Sequence, residues 1–114
     1  MNIDQKARFS AALQRVAGDE EMLGMMAKIA AEDAPAIMDD LETQVQEERL
    51  PDAAKTAHKL KGVLGTFETG EPVNEIQAMI EFARQGNLAK VQKMHSELSP
   101  KLQVLLTEIN AIAA

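Results

Sequence analysis

The sequence predicts an all-α fold, an antiparallel four-helix bundle with an additional N-terminal helix, in one domain spanning residues 1–114. Three observations predict it. Apolar residues recur at intervals of three and four along nearly the whole chain. No stretch of Val, Ile and Thr alternates as a half-buried strand would. The breaks that carry Gly and Pro are short, as connections between antiparallel neighbours in a bundle are. A chain of 114 residues, 46% hydrophobic and 26% charged, can fill one core and solvate its surface but has too few residues for a second core.

The first helix starts near Asp4 as N-cap, carries Phe9, Leu13 and Val16, and ends at Gly18. Asp19 caps the second, where Glu20 and Glu21 complement the positive end of the dipole. Met22, Met25, Met26, Ile29, Ile37, Met38, Leu41 and Val45 extend its apolar stripe to about Arg49, and Pro35 inside that stripe predicts a kink or break. Leu50-Pro51-Asp52 is a short junction with proline near the start of a third helix, which runs from about residue 51 to Phe67. Glu68-Thr69-Gly70-Glu71-Pro72 is the clearest break in the chain. A fourth helix carries Val73, Ile76, Met79, Ile80 and Ala83 and closes at Gly86-Asn87. The last carries Leu88, Val91, Met94, Leu98, Leu102, Leu105, Ile109 and Ile112, with Ser99-Pro100 as a kink or restart. The seven methionines fall within these stripes and read as gap-fillers of a core with only three aromatics.

Composition excludes several functions. With no Cys there is no thiolate zinc module, disulfide framework or catalytic cysteine. No run of 18 apolar residues appears, and the N-terminus lacks a basic segment followed by an apolar stretch, so a soluble cytoplasmic domain with no membrane partner is expected. The net charge of −6 argues against a nucleic-acid partner. Its distribution is uneven. Residues 1–18 hold three basic and one acidic residue, residues 19–52 two basic and eleven acidic, and residues 53–114 seven basic and six acidic. The last of these segments opens with Lys55, Lys59 and Lys61.

Two histidines remain as candidates for chemistry. His95, near Glu97 on the last helix, reads as a surface residue. His58 is different. At about 100° per residue, Ala53, Ala57, Leu60, Leu64 and Phe67 form the core stripe of its helix, whereas Lys61, Gly62 and Gly65 share the face of His58. Two glycines in a helix interior each cost about 1 kcal/mol relative to Ala. On this face, their missing side chains leave a flat approach for a second molecule. A hydrolytic triad lacks a nucleophile, since only Thr56 and Thr66 lie nearby. A metal site lacks further ligands, and the adjacent lysines repel cations. Cations beside an imidazole suit an anionic group on or near the ring, which points to phosphoryl chemistry.

The run Ala57-His58-Lys59-Leu60-Lys61-Gly62-Val63-Leu64-Gly65-Thr66-Phe67 resembles the A-H-x-L-K-G signature of histidine-containing phosphotransfer (Hpt) domains of bacterial multistep phosphorelays. Gly18-Asp19-Glu20-Glu21-Met22-Leu23 is similar to the family's G-D-x-x-L-L entry to its second helix, and Ile80-Glu81 with Ala83-Arg84-Gln85-Gly86-Asn87 to its L-E followed by A-R-x-G-D. Two positions depart from the pattern. Val63 stands where a small polar residue is usual and Glu68 where a glycine is, so the turn after the active helix is expected to differ locally.

The resemblance implies that His58 accepts a phosphoryl group on Nε2 from a receiver-domain phospho-aspartate and passes it to another receiver. It implies that Lys61 stabilises the phosphoryl oxygens, that Gly62 leaves space for the receiver, and that Glu81 orients the imidazole. Lys55, Lys59 and Gly65 would complete the docking face, the lysines steering encounter with an acidic receiver site. The implied partners are response-regulator receiver domains and a hybrid histidine kinase, met by a monomer. No cofactor is expected, and no kinase activity, since glycine-rich ATP-binding boxes are missing. The alternative is a helical adaptor that binds a receiver or kinase without phosphotransfer.

Overall fold

The computed structural model describes residues 1–114 and contains no strand. Its helices are α1 (Ile3–Arg8), α2 (Ser10–Arg15), α3 (Glu20–Gln46), α4 (Leu50–Leu64), α5 (Ile76–Arg84) and α6 (Leu88–Ala111), with a single 3-10 turn at Val73–Glu75 before α5. Helices α3 to α6 form the bundle: α4 packs on α3 and α5, and both of these pack on α6. Three-residue connections join α3 to α4 and α5 to α6. No helix is long and apolar enough to cross a membrane.

The N-terminal element is a pair of short helices rather than one. Asn2, not Asp4, is the N-cap, and it forms a capping box with Gln5. The helix is interrupted at Phe9, whose side chain is buried together with that of Ala12. The pair has a place to pack because the bundle helices differ in length. At about 1.5 Å per residue, the 27 residues of α3 and 24 of α6 outreach the 15 of α4 and nine of α5. Helices α1 and α2 lie where α4 gives out.

Neither internal proline breaks its helix. Pro35 lies within α3 and Pro100 within α6. Each removes one backbone hydrogen bond, but buried residues flank both, Ala34 and Ile37 in one case and Leu98 and Leu102 in the other. Packing of these turns outweighs the local penalty. Helix α4 ends at Leu64 rather than Phe67, yet Phe67 is still buried in the turn that follows.

The core line of α3 differs from the expected stripe. Buried positions are Leu23, Ala27, Ala30, Ala34, Ile37, Leu41 and Val45, with Gly24 beside them. Met22, Met25 and Ile29 are exposed at 49%, 57% and 60%. Of the seven methionines, Met79 alone is fully buried, so the reading of the methionines as core filling is corrected for Met22 and Met25. Small residues let α3 approach its neighbours closely, which displaces the bulky thioethers to the rim.

Candidate functional site

Helix α4 presents two opposed faces. Ala53, Ala57, Leu60 and Leu64 are buried, as is Phe67 just beyond, and they fix the rotation of the helix. His58, Lys55, Lys59 and Gly62 are consequently exposed. The His58 imidazole makes no hydrogen bond to the rest of the chain, so both ring nitrogens are open to a partner. Lys55 and Lys59 take part in none of the ion pairs, which leaves their charges free to act on an approaching molecule.

Lys61 is half-buried and held in place. Its Nζ donates to Gln77 Oε1 on α5 at 2.9 Å, and Gln77 Nε2 reaches Glu81 Oε1 at 3.5 Å. Glu81 is exposed and hydrogen-bonded to Gln77, with no hydrogen bond to His58. Gln77 is the site residue that sequence reasoning missed. It falls on the turn before Glu81, at i−4, and that spacing was the signal that pairs it with the acid.

The two glycines have different reasons. A Cβ built on Gly62 would meet nothing within 4 Å, so the space over this residue is open. A Cβ on Gly65 would lie 2.8 Å from the carbonyl oxygen of Lys61. Gly65 is the C-cap of α4, and its missing side chain makes room for the helix's own last turn.

Beside this face, Val63 of α4 and Thr66 and Phe67 of the turn that follows line a groove with Met26, Ile29, Ala30 and Asp33 of α3. The exposed methionines Met22 and Met25 continue it along α3. His95 is not at the surface as expected. It is half-buried, at i+4 from Val91 and i−3 from Leu98 on the inner face of α6, a spacing that the sequence displays.

An exposed imidazole, a tethered ammonium one turn away and an unobstructed glycine surface suit an anionic group carried by a docked molecule. The family model of the Hpt domain matches residues 25–114. The chain belongs to the Hpt domain family. Hpt domains are phosphotransfer modules of phosphorelays, work with receiver domains and kinases, and have no kinase activity of their own. The matched Hpt region holds all of α4, α5 and α6 and nearly all of α3, and leaves out α1 and α2. No curated protein and no solved structure matches the chain significantly.

Proposed function

We propose that this Hpt domain is a phosphorelay intermediate whose phosphoacceptor is His58. The neutral imidazole attacks the phosphorus of a receiver's aspartyl phosphate through Nε2. The N–P bond forms as the P–O bond to the aspartate breaks, and the carboxylate leaves with the electron pair. Nδ1 keeps its proton, so the product is an imidazolium with a labile N–P bond, ready to give the group to the aspartate of a second receiver. Lys61 stabilises the phosphoryl oxygens, where charge must be neutralised and little else is needed from the protein. Gln77 fixes that ammonium, and Glu81 acts through Gln77.

Docking uses the His58 face. Gly62 keeps it flat with Gly65 at its end, Lys55 and Lys59 steer the encounter with an acidic receiver site, and the groove between α3 and α4 supplies apolar area. The partners are receiver domains and a hybrid histidine kinase, met in the cytoplasm by a monomer that takes its phosphoryl group from another protein and not from ATP. The observation that carries the reading is the exposed His58 with Lys61 tethered to Gln77 beside it. Incubation with phosphorylated receivers tests it: the wild type should take up an acid-labile, alkali-stable label, and His58→Gln should take up none. Label retained by His58→Gln, or receiver binding without any label on the wild type, defeats it; the second outcome favours the adaptor.

A further inference from the structure

The turn that leaves α4 is gripped at three consecutive residues by the N-terminal helical pair. Arg15 Nη2 donates to the carbonyl oxygen of Thr66 at 2.6 Å. The Phe9 ring stands edge-on to Phe67, with centroids 6.2 Å apart and planes at 82°. Arg8 Nη1 donates to Glu68 Oε1 at 2.6 Å while its Nε donates to Glu108 Oε2 at 3.0 Å, so one guanidinium ties the turn to α6. The other oxygen of Glu68 accepts the N–H of Gly70 at 3.0 Å. Burial alone would push the Glu68 carboxyl up, but Arg8 and that N–H outweigh it and hold the group below its ordinary range.

Glu68 is one of the two departures from the family pattern, and Arg8 lies outside the region that the family model matches. The unusual residue and the additional element therefore meet in one ion pair. Thr66 and Phe67, gripped in this way, line the groove that also includes Val63 and runs beside the His58 face. The N-terminal pair thus contacts two of the residues that line the groove.

We infer that α1 and α2 form a positioning element for receiver docking, acting through Arg8 on Glu68 to hold the turn at residues 66–68 and with it the groove between α3 and α4. This rests on the phosphotransfer reading above. Arg8 is a positioning residue, since its guanidinium reaches Glu68 and Glu108 and not His58. The element shapes the surface that a receiver meets and leaves the imidazole itself unchanged.

Two phosphodonors separate these effects. Phosphoramidate labels histidine directly and needs no docking, whereas a phosphorylated receiver that labels the wild type must dock. Both are applied to the wild type, Arg8→Ala, Glu68→Gln and the double variant, counting the label that His58→Gln abolishes. Phosphoramidate labelling should be unchanged throughout. KM for the receiver should rise about three- to fivefold in each single variant and no further in the double, with the rate at saturation preserved. Arg8→Lys, which keeps the charge without the fork, should fall between wild type and Arg8→Ala. An unchanged KM in both single variants overturns the inference whatever happens to the melting temperature. An equal loss with both donors also overturns it, because that pattern marks general loss of structure. If no receiver labels the wild type, the phosphotransfer reading itself fails and the inference falls with it.

Discussion

Lys61 and Gln77 meet across α4 and α5, the ammonium donating to the amide oxygen at 2.9 Å. A lysine stem is flexible, and this bond restricts its charged end to one position on the His58 face. Lys61→Ala is expected to slow transfer at saturating receiver about ten- to a hundredfold, because a contact that strengthens as charge develops on the phosphoryl oxygens is lost. Gln77→Ala keeps the cation and frees it, which should slow transfer only about two- to fivefold. Rapid-quench time courses beside thermal melts check both. A wild-type rate in Lys61→Ala would remove its role.

Gly62 and Gly65 should respond oppositely to an added methyl group. At Gly62 the space is open and the backbone is helical, so Gly62→Ala should stabilise the domain by about 1 kcal/mol through helix propensity. At Gly65 a Cβ would sit 2.8 Å from the carbonyl oxygen of Lys61, and backbone must shift to admit it. Gly65→Ala should destabilise by about 1–3 kcal/mol. Gly62→Gln should keep the fold and block receiver docking. Urea titrations give the sign for each glycine, and a stabilising Gly65→Ala would refute the steric account.

Glu48 occupies a seat that suits glycine. Helix α3 ends in a Schellman motif, with Arg49 N–H bonded to the Gln44 carbonyl at 2.8 Å and Glu48 N–H to that of Val45 at 3.1 Å. The residue in the left-handed position is Glu48, with φ at 59°, whereas the equivalent position after α5 is Gly86, with φ at 74°. Glu48→Gly should raise stability by about 0.5–1 kcal/mol, the relief of backbone strain exceeding the added entropy of the unfolded chain. An unchanged or lower urea midpoint would contradict this.

What the sequence made legible depended on how many readings each pattern allowed. In α4, Ala53, Ala57, Leu60 and Leu64, with Phe67 just beyond, offer only one stripe, so the exposure of His58 followed from it. In α3, two lines compete. Bulk favours Met22, Met25 and Ile29, but packing against two neighbours favours the alanines at 27, 30 and 34, and hydropathy does not record closeness of approach. The proline penalties are local and were overruled by burial of the adjoining turns. The i−4 spacing could pair Gln77 with Glu81, but nothing in the sequence pairs it with Lys61, and only the arrangement of α4 against α5 brings those two together. The same holds for Arg8 and Glu68, sixty positions apart.

Half-buried His95 gives the fold a pH dependence. Its imidazole adjoins a small cavity with Met38, Leu41, Leu60, Met79 and Leu98. Burial pushes its pKa below the ordinary value of 6.5, and the Glu42 carboxylate opposes that shift without cancelling it. As pH falls through about 6.5, the unfolded chain binds a proton that the folded chain refuses until lower pH, so the folded state binds fewer protons and stability falls with pH across that window. Urea unfolding should therefore show lower stability at about pH 5.5 than at about pH 7.5. His95→Leu should flatten this slope, whereas Glu42→Gln should steepen it by removing the carboxylate that favours the cation. Glu68, whose pKa is held below 4.5, loses its stabilising contribution only in more acidic solution, so the two effects separate on the pH axis. An equal slope between pH 7.5 and 5.5 in wild type and His95→Leu would show that the half-buried imidazole is not its source.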